Sequence, residues 1–344
     1  MSYNKGGRSR PPYLLNPPYE AIKWGYRKFW VLDQRLLPHK KKYLELSDIE
    51  SACIAIKSLA VRGAPLIGVC AALALAHAAR SGASKKILLK SAEKLASTRP
   101  TAVNLFNVLR EIKKVINEDS SCNAIVTKAL NIWKEEEERS YAMVEHAQGL
   151  VGKGARITTY CNTGMLACPG LGTALGVLIK AHLEGKKIDV VVPETRPLLQ
   201  GARLTSWELT QWKIPHILVT ESALASVLNS IEACFVGADR IAKNGDTANK
   251  VGTYGLAILC RSFGVPFYVV APTSTVDAGA RKGAEIPIEI RDASEVAEFN
   301  SCRSAPRGAK AFNPAFDVTP AELITAIITE EGVARPPYRK NLPL

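Results

Sequence analysis

Histidine and methionine are scarce in this 344-residue chain, at five and three copies. The histidines are scattered, and no helix-spaced pair with a carboxylate occurs, so the ligand pattern of a metal hydrolase is missing and no metal is expected. Eight cysteines occur, at 53, 70, 122, 161, 168, 234, 260 and 302, and none forms a Cys-x-x-Cys pair. Zinc-ribbon and thioredoxin-type sites are thereby excluded. Apolar settings such as Val69-Cys70-Ala71 suit buried, reduced thiols in a cytoplasmic protein. No uninterrupted apolar run reaches about 18 residues. The nearest, Ala64 to Ala79, is broken by Gly68 and His77 and reads as a buried helix. Lys5, Arg8 and Arg10 run into Pro11 and Pro12 in place of an apolar core, so no secretory signal is expected. Membrane, fibrous and small disulfide-held classes fall away.

What is present fits a soluble globular protein. Hydrophobic residues make up 47% and charged residues 22%. The length suggests two domains, at roughly 100–200 residues each. Net charge is +13, and residues 1–42 hold ten Lys or Arg against only Glu20 and Asp33. A basic arm can serve nucleic acid. Zinc-finger spacing, an aromatic RNA-binding signature and a long Lys/Arg block are all lacking. A solvated surface that draws in a small anionic substrate explains the charge better, and no nucleic-acid partner is expected.

The rhythm of the chain changes twice. Lys28 to Leu36 reads as a strand. Ser47-Asp48-Ile49-Glu50 fits a capping box with Ser47 at the cap. Helical periodicity then carries residues 49–60, 65–80, 84–97, 102–117 and 121–148. After Gly149 strands alternate with helices: Arg156 to Tyr160, a helix over Leu171 to Leu183, Ile188 to Val192, a helix to Trp212, then strands at His216 to Thr220, Ala233 to Val236 and Pro266 to Ala271. Such alternation predicts an α/β fold: a mainly helical N-terminal domain over 1–148, then a parallel, Rossmann-like sheet over 149–344.

In such sheets ligands bind beyond the carboxyl ends of the strands. There the sequence places Cys161-Asn162-Thr163-Gly164, Glu194-Thr195-Arg196-Pro197 with Gln200, and Gly237-Ala238-Asp239-Arg240. Asn244-Gly245-Asp246, Asn249-Lys250 and Pro272-Thr273-Ser274-Thr275 follow. Gly170-Leu171-Gly172-Thr173-Ala174-Leu175-Gly176 is one residue off a dinucleotide fingerprint. Its glycines read better as close packing of a helix on the sheet, and no cofactor is expected. In the helical half, Arg62-Gly63-Ala64-Pro65 opens a helix. Free amides there beside Arg62 suit an anion, although the same residues also make an ordinary helix corner. Arg99 precedes another helix. Together with Lys250 these corners suggest a phosphate clamp.

Ordered blocks along both halves resemble the methylthioribose-1-phosphate isomerase family. They are Leu32-Asp33-Gln34-Arg35, Val61 to Pro65, Arg99 to Leu105, Cys161 to Gly164, Glu194 to Arg203, Val236 to Arg240, Asn249 to Gly255, Ala271 to Thr275 and Asn313 to Pro320. The resemblance implies a helical domain followed by a Rossmann-like domain, usually in a homodimer, acting on a phosphorylated sugar in methionine salvage. It implies Asp239 as proton donor and Cys161 as the second essential group. Arg62, Gly63, Ala64, Arg99, Gln200, Asn249 and Lys250 match its substrate-binding positions. Met165 to Pro169 departs from the family's commoner small-residue run, and Cys168 adds a second thiol there. Two related groups share the fold: ribose-1,5-bisphosphate isomerases, and regulatory subunits of the initiation-factor nucleotide exchanger. The Asn162-Thr163-Gly164 continuation speaks against the first. Cys161, Asp239 and Gln200 together speak against the second. On the family's substrate, ring opening needs an acid, and hydrogen must pass from C2 to C1. Either Cys161 acts as base or a hydride shifts directly.

Overall fold

The computed structural model describes residues 17–25, 28–99, 103–299 and 302–343. Pro100 to Ala102 and the start of the basic segment lie outside the described residues. Contacts divide the chain into two units. One runs to Glu137 and takes in Met165–Gly170; the other holds Glu138–Gly164 and everything from Leu171. The rhythm change at residues 148–149 marks the end of a helical stretch, whereas the contact division falls earlier.

The first unit opens with an antiparallel sheet of β1 (Ile22–Trp24), β2 (Phe29–Leu32) and β3 (Tyr43–Glu45), in that order. The strand expected to reach Leu36 stops at Leu32. Asp33 turns the chain there, its carboxylate holding the Arg35 guanidinium at 2.8 Å. Helices α1 (Ile49–Lys57), α2 (Ala64–Arg80), α3 (Lys85–Ala96) and α4 (Val103–Glu118) follow, and α5 (Cys122–His146) runs across the division. The cap of α1 lies one residue later than expected. Asp48, not Ser47, accepts from the Ser51 amide at 2.8 Å, and the Ser51 hydroxyl accepts from the Asp48 amide at 3.2 Å. Two overlapping capping boxes are written in this stretch, and Ser47 stays outside with its carbonyl 3.2 Å from His77 Nε2. Helix α2 buries apolar residues on every face, because α1, α3 and α4 all pack around it.

The second unit continues with β4 (Arg156–Thr159), α6 (Ala174–Leu183), β5 (Asp189–Pro193), α7 (Ser206–Gln211), β6 (His216–Val219), α8 (Leu224–Val227) and β7 (Ala233–Val236). Next come β8 (Arg240–Ala242), β9 (Thr247–Lys250), α9 (Thr253–Ser262), β10 (Phe267–Val270), β11 (Val276–Asp277), α10 (Ser294–Ala297), β12 (Glu298–Phe299) and β13 (Cys302–Arg303). The chain ends with β14 (Phe316–Thr319), β15 (Ala326–Thr329), β16 (Gly332–Ala334) and α11 (Tyr338–Asn341). The main sheet has the order β16-β15-β10-β7-β4-β5-β6, parallel except for β16. Strands β7, β10 and β15 are buried along their whole length, as continuous apolar runs covered on both faces should be. Sequence rhythm ended at β10. Both β15 and β16 went unread, as did a second sheet of order β11-β8-β9-β14.

Strand β4 comes first in the chain yet lies in the middle. Strands β5 and β6 extend to one side and β7, β10 and β15 to the other. The order therefore reverses between β4 and β7, where doubly wound sheets take their ligands. Two of the near-fingerprint glycines, Gly172 and Gly176, allow close approaches to the loop after β4 and to α5. A Cβ on Gly172 would lie 2.5 Å from Gly164 Cα, and one on Gly176 would lie 2.9 Å from Val144 Cγ1 in α5. Two amides at the start of α6 are already taken, Thr173 by the Thr163 carbonyl at 2.7 Å and Leu175 by Thr163 Oγ1 at 3.0 Å.

Asp48→Ala should lower the unfolding free energy by about 1 kcal/mol, the usual worth of such a cap. The Ser51 amide and hydroxyl hold the Asp48 carboxyl below its ordinary pKa. Its contribution is therefore complete at neutral pH and is lost as pH falls through the lowered value. Urea melts of both proteins at pH 7 and near pH 2 check this. An equal gap at both pH values would contradict it.

Candidate active site

Three adjacent parallel strands deliver the candidate residues of the second unit. Cys161 follows β4, Asp239 follows β7, and Glu194 and Thr195 follow β5. Cys161 and Asp239 thus flank the reversal of strand order, on strands about 4.8 Å apart. Cys161 has φ +58 and Thr195 φ +66, left-handed values that cost a non-glycine residue about 1–3 kcal/mol. The two are bonded to each other: Cys161 N–H donates to Thr195 Oγ1 at 3.1 Å. On its other side the Cys161 carbonyl accepts from Thr205 Oγ1 at 2.5 Å. Asn162 donates to the buried Glu208 carboxylate at 2.6 Å. Gly164 leaves room for that carboxylate, since a Cβ there would lie 2.5 Å from Glu208 Oε2.

Asp239 reaches its place through a hairpin. Its amide donates to the Ala248 carbonyl at 2.9 Å, continuing the antiparallel pairing of Arg240 with Ala248. That register sets Asp239 across from Asn249, next to Lys250. On the far side of β9, Asn249 pairs with Asp317 and Lys250 with Phe316 of β14. Lys250 is buried, its Nζ donating to the Ala315 carbonyl at 2.9 Å and lying 5.1 Å from the Phe316 ring centre. Asp317 accepts from the Gly252 and Tyr254 amides at 2.6 and 3.1 Å and so caps α9. Burial pushes its carboxyl up, against the pull of those two amides.

Tyr160 joins the two loops. Its hydroxyl donates to the Val251 carbonyl at 3.0 Å, with Glu221 Oε1 3.2 Å away. Burial first, and then the Glu221 charge, push the phenol well above its ordinary pKa, so it stays a donor. Gly252, at φ +101, admits this contact, because a Cβ there would sit 1.9 Å from the hydroxyl. Gln200 leads into a π-helical turn, Gly201–Thr205. It is 6% exposed, and no partner reaches its Oε1 among the described residues. A buried acceptor left open in this way suits a ligand hydroxyl.

In the first unit, Gly63 has φ +88 and caps α2, with Pro65 in the first turn. The Leu66 amide is spent on the Ala167 carbonyl at 3.2 Å, and proline has no N–H. No backbone carbonyl among the described residues accepts from Gly63 or Ala64, and these amides sit beside the half-buried Arg62. A Cβ built on Gly68 would lie 3.6 Å from the Asn104 carbonyl, so α2 at its second turn adjoins the first turn of α4. Arg99, half-buried, follows the end of α3 just before α4. Other groups from the strand ends are structural. Asp246 accepts from the Gly283 and Ala321 amides, Thr273 binds Glu330, and the Arg196 guanidinium donates to the Val296 carbonyl.

Residues 60–336 match the initiation factor 2 subunit family. The chain belongs to that family. A methylthioribose-1-phosphate isomerase of Pelotomaculum thermopropionicum is 47% identical over 338 residues, covering 94% of this chain and 93% of that protein. A crystal structure of 5-methylthioribose 1-phosphate isomerase from Pyrococcus horikoshii is similar at TM-score 0.88 and 40% identity, covering 94% of each chain. A structure from A. fulgidus named translation initiation factor eIF-2B, subunit delta, is similar at TM-score 0.84 and 39% identity, covering 94% of this chain and 98% of that one. An initiation factor 2 subunit family name thus spans catalysts and translation factors.

Sequence reasoning gave no part to Thr205 and took Tyr160 only as a strand end and Asp317 only as part of the Asn313 to Pro320 block. Thr195 appeared only as part of Glu-Thr-Arg-Pro. No local signal marks Thr205, whose place depends on the π-helical turn.

Gly63→Ala should destabilise the protein more than Gly82→Ala. Both glycines have positive φ, costing about 1–2 kcal/mol on substitution. Only Gly63 also meets an obstacle, with a Cβ 2.2 Å from the Ala167 carbonyl oxygen, whereas Gly82 has open space. Overpacking adds about 1–3 kcal/mol. Equal melting temperatures for the two variants would refute that ordering.

Proposed function

We propose that this chain is an aldose–ketose isomerase that converts 5-methylthioribose 1-phosphate to 5-methylthioribulose 1-phosphate in methionine salvage. The observation that carries this is the pairing of Cys161 and Asp239 at the carboxyl ends of neighbouring strands, on either side of the reversal of strand order. Translation-factor duty alone gives no reason for a strained cysteine there. The isomerase names among the relatives agree with it. The reading includes a cytoplasmic location, which eight free cysteines fit, and the homodimer usual in such isomerases.

The chemistry follows from the substrate. Phosphate on the anomeric carbon blocks the free aldehyde that ordinary sugar isomerases use, so the C1–O4 bond must break with the phosphate in place. Asp239 gives a proton to O4 as that bond opens. Cys161 takes the proton from C2, leaving an enol at C1–C2. Cys161 then gives a proton to C1 while the Asp239 carboxylate takes that of the C2 hydroxyl, so the ketose 1-phosphate results and both groups are restored. In this reading Arg62, Arg99, Lys250 and the amides of Gly63 and Ala64 carry the donors suited to phosphate, and Gln200 and Asn249 those suited to sugar hydroxyls. No metal or nucleotide takes part in this scheme. Loss of label from a C2-deuterated substrate to solvent marks this route, because a direct hydride shift keeps all of it.

Purified protein should turn over methylthioribose 1-phosphate much faster than ribose 1,5-bisphosphate. The reverse preference would reassign the substrate, and no turnover of either would favour the translation-factor role. Asp239→Asn and Cys161→Ala should each lower kcat by about 10²–10⁴-fold with the fold intact, the usual worth of a placed acid or base. Arg99→Ala should raise KM by about 10- to 150-fold, the equivalent of one charge-assisted contact. An unchanged KM would remove Arg99 from the phosphate site.

A further inference from the structure

We propose that Thr195 and Thr205 are positioning residues that clamp Cys161 in its left-handed turn and so aim its thiol. The inference rests on the reading of Cys161 as the group that acts on substrate. Both threonines are fully buried, and each holds one peptide group of Cys161. Thr195 Oγ1 donates its own hydrogen to the Pro193 carbonyl at 3.2 Å, so its lone pairs remain to accept the Cys161 N–H. Thr205 Oγ1 spends its hydrogen on the Cys161 carbonyl and accepts from Asn162 Nδ2 at 3.3 Å. Each hydroxyl has one hydrogen, and the network gives each a single direction.

The surroundings are built to permit this. Thr195 is β-branched and left-handed, a combination that is a genuine outlier. Two such residues bonded to one another, at the ends of neighbouring strands, persist only where the structure around them over-determines them. Gly201 supplies part of that constraint. A Cβ there would lie 1.8 Å from the Pro193 carbonyl oxygen and 2.8 Å from Thr195 Oγ1. The π-helical turn from Gly201 to Thr205 winds in an extra residue before α7, and its last residue is the one that reaches Cys161. Turns of this kind are frequent at functional sites. Fixing φ at Cys161 fixes its Cα–Cβ bond, and proton transfer from carbon is steeply sensitive to such placement.

The test uses the full chain with Thr205→Val, Thr205→Ser and Thr195→Val. Turnover is measured together with amide hydrogen exchange in a peptide covering Tyr160 to Gly164. Thr205→Val should lower kcat by about 10- to 100-fold with KM within about threefold, as expected for an effect on the reacting geometry. Exchange at Cys161 should quicken by at least about tenfold, the sign of a loosened turn. Thr205→Ser, which keeps the hydroxyl, should restore both to within about threefold. Thr195→Val should match Thr205→Val and decides the matter if the latter fails to fold. A kcat within about twofold of the parent in both valine variants would overturn the clamp. So would losses that serine fails to restore. The exchange measurement needs no substrate. If the parent protein turns over no sugar phosphate, the proposed function fails while the clamp is still decided by exchange at Cys161.

Discussion

The loops after β5 and β9 are both tied to Tyr160 and Cys161, the two residues that leave the central strand. Parallel strands end with unpaired peptide groups, and those groups need partners when they are buried. Here the Cys161 peptide groups find partners in the connection after β5, at Thr195 and at Thr205 of the π-helical turn, while the Tyr160 phenol donates to the Val251 carbonyl after β9. The Tyr160 phenol is a dependable donor because its burial disfavours the anion. Glu221, beside it, also accepts from the Arg196 amide at 2.8 Å and draws the Glu-Thr-Arg-Pro loop into the same frame. A strand end held by hydroxyls and carbonyls of its neighbouring loops leaves few degrees of freedom for the side chains it presents.

The second sheet adds leverage to this frame. Asp239, Asn249 and Lys250 are each placed by ladder register and not by side-chain contacts alone. A slip of one residue in the β8–β9 hairpin would turn each of them away from the face it now occupies. The hairpin is pinned against such slippage by Asp246, whose two oxygens hold Gly283 and Ala321. A residue that looked like part of the chemistry in the sequence is instead what keeps the register.

Much of the fold was legible in the sequence, for identifiable reasons. Helices α2 to α5 carry long periodic patterns, and the buried strands β5, β7 and β10 are apolar runs between turns. The cap of α1 was misplaced because Ser47-x-x-Glu50 and Asp48-x-x-Ser51 are equally good capping chemistry. The small sheet escaped because β8, β9 and β14 are three or four residues long and β14 joins from far downstream. For the site, Cys161, Asp239, Gln200, Asn249 and Lys250 stood out as polar residues just past or at the ends of apolar strands. Thr205 did not, because a threonine inside a helical stretch says nothing of a winding defect. Val144 beside Gly176 was equally hidden, since glycine spacing does not name what packs against it.

The short stretch Met165–Gly170 belongs by its contacts with the unit that precedes it, and Gly63 and Leu66 are among its neighbours. The polypeptide therefore visits the first unit, leaves it within α5, returns for six residues and leaves again. A chain emerging from a ribosome cannot complete its first unit until residue 170 is available, by which time β4 and Cys161 have already been made. No single cut of the backbone separates the two units, and a gene fragment ending after α5 would encode a first unit with the Gly63 corner uncovered. The two halves are thus bound to a common history of synthesis and inheritance, and recombination within the gene has no clean joint at which to exchange one for another.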